Sequence, residues 1–85
     1  MKTVVITGAS KGIGYATAKA FIDRSWEVIC LSRTPCNLLG VWNIQCDITD
    51  SESIKAAFAQ IPKCDVLFNN AGFGISGAVE FTTKE

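Results

Sequence analysis

Thr7-Gly8-Ala9-Ser10-Lys11-Gly12-Ile13-Gly14 holds the residue types whose spacing could do chemistry. Three glycines, a serine and a lysine stand between a β-branched run, Val4-Val5-Ile6, and a segment with helical spacing. A strand that turns sharply into a helix leaves unpaired backbone N–H groups at the helix N-terminus. With the helix dipole, they form a seat for a pyrophosphate. The glycines let the backbone turn tightly and let ligand and strand come close. The common fingerprint G-x-G-x-x-G/A would have to run Gly12, Gly14, Thr17, and it fails at the last position. What stands here is T-G-x-x-x-G-x-G, which by itself could also close an ordinary structural turn.

Three other short stretches carry polar groups at the ends of apolar runs: Ser32-Arg33, Asp47-Ile48 and Asn69-Asn70-Ala71-Gly72. Each has a bland reading beside a functional one. Asp47 could be a strand-end residue, Asn69 and Asn70 could satisfy turn backbone, and Arg33 and Lys11 could be solvated charges. Four cysteines at 30, 36, 46 and 64 include no C-x-x-C pair, and there is no histidine. That inventory argues against a zinc site. Cys30 and Cys46 fall inside predicted strands, where a reduced cysteine acts as a small hydrophobe.

These residues need strands and helices in alternation to bring them together. The first strand is expected at about Thr3–Thr7 and the first helix at about Gly12–Arg24, with Ile13, Ala16, Thr17, Ala20 and Phe21 as its apolar face. A second strand reads Trp26–Ser32, a short connection Arg33–Gly40 follows, and a third strand reads Val41–Cys46. The next helix opens on a capping box, Thr49-Asp50-Ser51-Glu52, and shows an apolar face of Ile54, Ala57, Phe58 and Ile61 before Pro62 stops it. The fourth strand is Asp65–Asn69, with Val66, Leu67 and Phe68 at its centre.

Alternation of this kind implies a parallel α/β sheet with right-handed crossovers. A strand order of 3-2-1-4 puts the two helices on opposite faces and opens a crevice between strands 1 and 4. The eight residues from Arg33 to Gly40 are too few for a helical crossover, so at most one turn of helix is expected there.

Composition narrows the partners. The 85 residues make one thin domain, burying roughly 60–65% of the unfolded surface. Eight basic and eight acidic residues cancel, which leaves nothing to attract nucleic acid or an anionic membrane. No apolar run approaches the roughly 18 residues of a membrane span. Met1-Lys2-Thr3 leads straight into a strand with no room for a signal peptide, and with the cysteine usage this predicts a reducing, cytoplasmic location.

The glycine turn together with Ser32-Arg33, Asp47-Ile48 and Asn69-Asn70-Ala71-Gly72, in this order and at strand ends, resembles the short-chain dehydrogenase/reductase family. The resemblance covers essentially the whole chain and the first half of the family's domain. It implies a Rossmann-type, doubly wound α/β sheet truncated to about four strands, as a partial dinucleotide-binding domain over residues 1–85. It also implies an oxidoreductase that moves hydride between a nicotinamide cofactor and a carbonyl or alcohol. By that resemblance Gly8, Ser10, Lys11, Gly12, Ile13 and Gly14 line the phosphates and the adenosine ribose. Asp47 and Ile48 are similar to the pair that meets adenine. Asn69, Ala71 and Gly72 lie beside the ribose near the nicotinamide, with Asn70 tying the central strands together.

Charge then bears on the cofactor. An NAD-selective site places an acidic residue about 20 residues beyond the glycine turn, to hold the ribose 2′-hydroxyl. Here the second strand ends Leu31-Ser32-Arg33, and Arg33 can instead fork onto a 2′-phosphate, with Lys11 adding charge. NADP is therefore expected over NAD.

In the family the proton donor is a tyrosine assisted by a lysine four residues later, in the half beyond the fourth strand. Tyr15-Ala16-Thr17-Ala18-Lys19 has that spacing but lies on the first helix, where it reads as a solvated face. No catalytic residue is assigned, and the chain alone is expected to be inactive. The stretch Phe73–Phe81 resembles the start of the family's substrate-side loop. A different reading is a small non-catalytic nucleotide-binding or interaction module. The fourth strand, apolar and without a fifth beside it, predicts a homo-oligomer through that edge.

Overall fold

Val4, Val5 and Ile6 have no polar face to offer water, and they become a strand with neighbours on both edges. In the computed structural model, which describes residues 1–9 and 12–70, every residue of β1 (Thr3–Thr7) is buried. The remaining elements are α1 (Gly12–Asp23), β2 (Glu27–Ser32), β3 (Val41–Gln45), α2 (Ser51–Ala59) and β4 (Val66–Asn69). The strands form one parallel sheet in the order β3-β2-β1-β4. This is the order of a doubly wound half that the family resemblance implies, and right-handed crossovers then put the two helices on opposite faces. Segment 33–40 contains no helix.

Strand pleating divides the core into two layers. Val4, Ile6, Val28 and Cys30 face one side with Ala18 and Cys36, and Phe21, Ile22 and Phe68 pack against them. Val5, Ile29, Leu31 and Ile44 face the other side with Cys46, Ala57 and Cys64, backed by Ile54, Phe58, Ile61 and Leu67. The helices thus cover opposite faces. Each fully buried Val, Ile or Leu contributes about 1.5–3 kcal/mol, so the central three residues of β1 alone matter greatly in a domain of this size.

The face that α1 buries differs from the expected one. Gly14 and Ala18 are the buried residues of this helix, with Tyr15, Phe21 and Ile22 packed partly against the core. Ile13 is 70% exposed, and Ala16 and Ala20 face solvent. Hydrophobicity spacing misread the phase because a glycine sets it. A Cβ on Gly14 would lie 2.4 Å from the Gly8 carbonyl oxygen, so only the glycine edge of the helix can come this close to β1. The helix lies on its smallest residue rather than on its most apolar ones.

The C-terminus of α1 closes as a Schellman motif. Trp26 N–H donates to Phe21 C=O at 3.0 Å and Ser25 N–H to Ile22 C=O at 2.9 Å. The rings of Phe21 and Trp26 meet edge to face at 4.8 Å, the apolar contact that accompanies this motif. Ser25 occupies the left-handed position, φ 66°, which glycine normally takes. A side chain there costs about 1–2 kcal/mol, so Ser25→Gly is expected to stabilise the fold by roughly 1 kcal/mol. Urea denaturation measures it, and an unchanged midpoint would contradict the strain.

The start of α2 also departs from expectation. The N-cap is Asp50 rather than Thr49, with φ −116° and ψ 113°, and its carboxylate accepts from Glu52 N–H at 3.0 Å. Thr49 is engaged elsewhere: its hydroxyl donates to Asp47 Oδ1 at 2.6 Å. The other end stops just before Pro62, where Gln60 N–H donates to Ala57 C=O at 3.1 Å. β3 ends at Gln45, one residue short of Cys46, which is nonetheless buried and donates its N–H to Ser32 C=O at 3.2 Å.

Candidate functional site

Because all four strands are parallel, Gly8, Arg33, Asp47 and Asn70 emerge along one edge of the sheet. Gly8 is the junction. Its φ of 68° turns the chain out of β1, in a conformation that side chains rarely adopt. Its N–H donates to Leu31 C=O at 3.2 Å, and its carbonyl accepts from Asn70 Nδ2 at 3.1 Å. One residue thereby ties β1 to β2 and to the end of β4. Asn70 has the strand-tying geometry expected of it.

The helix N-terminus beside this junction begins at Gly12, which also has φ 68°. Among the described residues, a Cβ added to Gly12 would meet nothing within 4 Å, so there is space beside this glycine. No acidic side chain occupies the first turn of α1. Room, backbone donors and the positive end of a dipole together suit an anion such as pyrophosphate. Ser10 and Lys11, expected to line the same seat, lie outside the described residues, as do Ala71, Gly72 and the stretch 73–85.

At the end of β4, Asn69 is exposed and its Oδ1 accepts from the buried Thr7 hydroxyl at 2.9 Å. This bond orients the Asn69 carboxamide from the central strand. Thr7 heads the glycine motif in the sequence, but its spacing there assigns it no role; the signal for one is a threonine closing an otherwise aliphatic strand.

At the end of β3, Asp47 Oδ1 accepts from both Thr49 N–H, at 3.0 Å, and the Thr49 hydroxyl. Those bonds, with help from the nearby Arg33 cation, hold the Asp47 carboxyl below the usual carboxylate range. Its own N–H donates to Ser53 Oγ at 2.9 Å. Ile48 packs inward against the α2-side core. Arg33, at the end of β2, is exposed and borders a cavity of about 180 Å³ lined by Ser32, Arg33, Pro35, Asn43 and Gln45. The structure therefore brings Arg33 and Asp47 near one another, and sets Gly8, Gly12, Asn69 and Asn70 beside the carboxyl ends of β1 and β4.

Two alternative chemistries find little support. Tyr15 leans into the core beside α1, so it is not on a fully solvated face, while Lys19 pairs with Asp23 at 3.5 Å. All four thiols are buried and unpaired. Burial first, and then neighbouring Cys36, push the Cys30 thiol up to about 12. Burial likewise raises Cys46 and Cys64, so these groups stay protonated and poorly nucleophilic. Among the described residues, no helix is long and apolar enough to cross a membrane.

Comparison with known proteins agrees with this geometry. Residues 2–85 match the family model described as short chain dehydrogenase. The chain is 41% identical over 87 residues to 3-ketodihydrosphingosine reductase of Bacteroides thetaiotaomicron, covering 96% of this chain and 32% of that protein. Ligand-free aldohexose dehydrogenase of Thermoplasma acidophilum superposes with a TM-score of 0.75 at 36% identity, over 93% of this chain and 34% of that one. A 4-hydroxyisoleucine dehydrogenase solved with NADH gives a TM-score of 0.71 at 35% identity, over 79% and 31% of the two chains. The chain spans about a third of the length of the curated relatives it matches. A parallel sheet in this order, a glycine junction at the end of β1 and sequence matches along residues 2–85 place the chain in the short-chain dehydrogenase family.

Proposed function

We propose that this chain carries the adenosine- and phosphate-binding part of an NADP-dependent oxidoreductase that moves hydride between NADPH and a carbonyl or alcohol. The carrying observation is Arg33 at the end of β2, beside an open cavity, where an NAD-selective site would hold a carboxylate. The first turn of α1, with space beside Gly12, would receive the pyrophosphate, and Lys11 would add charge near the 2′-phosphate. Asp47 and Ile48 would meet the adenine, and Asn69, Ala71 and Gly72 the nicotinamide ribose. When bound, the nicotinamide supplies or accepts the hydride. The residues named here bind and orient it.

Titration calorimetry with NADP⁺ and NAD⁺ tests the reading. A preference for NADP⁺ of about tenfold or more is expected from one charge-assisted contact. Equal affinities would overturn it. Tyr15 and Lys19 stand apart from this chemistry, so the chain by itself should bind without consuming NADPH. Four unpaired cysteines suit a reducing compartment such as the cytoplasm.

The same proposal includes self-association. Among the described residues β4 pairs only with β1, and Val66 is 39% exposed on it. A strand with an unpaired edge is a template for a second copy. Light scattering is expected to report a dimer or larger, and a stable monomer at high micromolar concentration would refute it.

A further inference from the structure

We infer that Asn43 is a positioning residue for nucleotide selectivity, because its side chain fixes the segment that aims Arg33. The inference rests on the reading of Arg33 given above. Asn43 is an exposed residue in the middle of β3, in register with Cys30 of β2. Asparagine is depleted in strands, and this one has work beyond the ladder. Its Oδ1 accepts from Cys36 N–H at 2.9 Å, and its Nδ2 donates to Cys36 C=O at 2.9 Å. One carboxamide thus satisfies both backbone groups of a single loop residue, as a neighbouring strand would.

The segment from Arg33 to Cys36 is consequently held at both ends. Behind it, the Ser32 hydroxyl donates to Thr34 C=O. Within it, Pro35 has its φ locked by the ring. Ahead of it, Cys36 is clamped by Asn43 and anchored in the α1-side core, only 2% exposed. Arg33 and Asn43 border the same cavity of about 180 Å³. A guanidinium discriminates a phosphate by a two-pronged contact that needs a fixed direction of approach. Freed from the clamp, the 33–40 connection has no secondary structure to hold it, and Arg33 becomes a mobile charge.

The test compares adenosine 2′,5′-bisphosphate with adenosine 5′-monophosphate, which differ only in the 2′-phosphate. Calorimetry is run on the wild type, Asn43→Ala, Asn43→Thr and Arg33→Ala; threonine suits an exposed strand position should the alanine variant not fold. The Asn43 variants are expected to weaken the bisphosphate about tenfold while the monophosphate stays within about twofold. Adding Asn43→Ala to Arg33→Ala should change neither affinity further. An unchanged ratio, or equal weakening of both ligands, overturns the inference and leaves the Arg33 reading standing. A wild type that does not prefer the bisphosphate overturns the Arg33 reading itself. Amide exchange gives a readout that needs no variant: the Cys36 N–H should be protected in the wild type, and fast exchange there would rule out the clamp.

Discussion

Gly14→Ala is expected to cost about 3 kcal/mol or more, although it adds a single methyl group. The new Cβ would stand 2.4 Å from the Gly8 carbonyl oxygen, 2.7 Å from Asn70 Nδ2 and 3.0 Å from Ala9 Cα. Two of those three atoms are backbone. The third cannot swing aside without giving up its hydrogen bond to the Gly8 carbonyl. Relief requires α1 to back away from β1, which opens the layer formed by Val4, Ile6, Ala18 and Val28. Against a total stability of roughly 5–10 kcal/mol for a domain this small, the variant should unfold well below the wild-type urea midpoint. It should also lose nucleotide binding, since the helix N-terminus moves with the helix. A loss under about 1 kcal/mol would mean that the contact is looser than described.

Arg33→Asp should move the ratio of NADP to NAD affinity by about a hundredfold, with NAD becoming the better ligand. Two effects act in the same direction. The proposed charge-assisted contact to a 2′-phosphate would be lost, and a carboxylate would take its place that repels the phosphate yet can accept from a 2′-hydroxyl. Arg33 is exposed, so stability should hold within about 0.5 kcal/mol, which separates selectivity from folding. The substitution also removes a cation near Asp47 and puts an anion in its place, so the Asp47 carboxyl should titrate at higher pH than in the wild type. Parallel competition by NADP⁺ and NAD⁺ reads the ratio. Equal losses for both cofactors would show that Arg33 does not distinguish them.

Those expectations rest on parts of the molecule that are unevenly legible in the chain. The parallel sheet follows from the alternation of strands and helices, its order from the family resemblance, and the opposite placement of the helices from that order with right-handed crossovers. The apolar face of α2 is also readable, because Ile54, Ala57, Phe58 and Ile61 recur at helical spacing and all four pack in the layer beneath. The face of α1 is not, since the side chain that decides it is the missing one at Gly14. Close approach is a property of pairs of elements, and hydropathy spacing within one element cannot report it. The N-cap of α2 shifted for a similar reason: Thr49 satisfies a motif locally but is drawn into the Asp47 turn. Of the candidate site, Arg33, Asp47 and the Asn69-Asn70 pair are visible as polar residues at strand ends, and Gly8 as the glycine that turns the chain out of the first strand. Thr7 and Asn43 act through other residues, and only their odd residue types in apolar or β-branched runs hinted at that.

The bonds at the two ends of β4 have a consequence for the order in which the molecule assembles. Thr3 N–H to Asp65 Oδ2, Thr7 Oγ1 to Asn69 Oδ1 and Asn70 Nδ2 to Gly8 C=O each join residues 62 apart. The β1–β2 register joins residues only 24 apart, as in Thr3 with Glu27. Chain entropy favours closing the shorter loop first, so β4 docks late onto a sheet that already exists. The Gly8 carbonyl waits for Asn70, and the glycine junction is finished at that last step. A nucleotide seated there, as proposed, would bind the completed sheet in preference to the earlier one, and so would act as a latch on β4. Amides of Leu67 and Phe68 will then slow in exchange on ligand addition more than those of the β2–β3 pair.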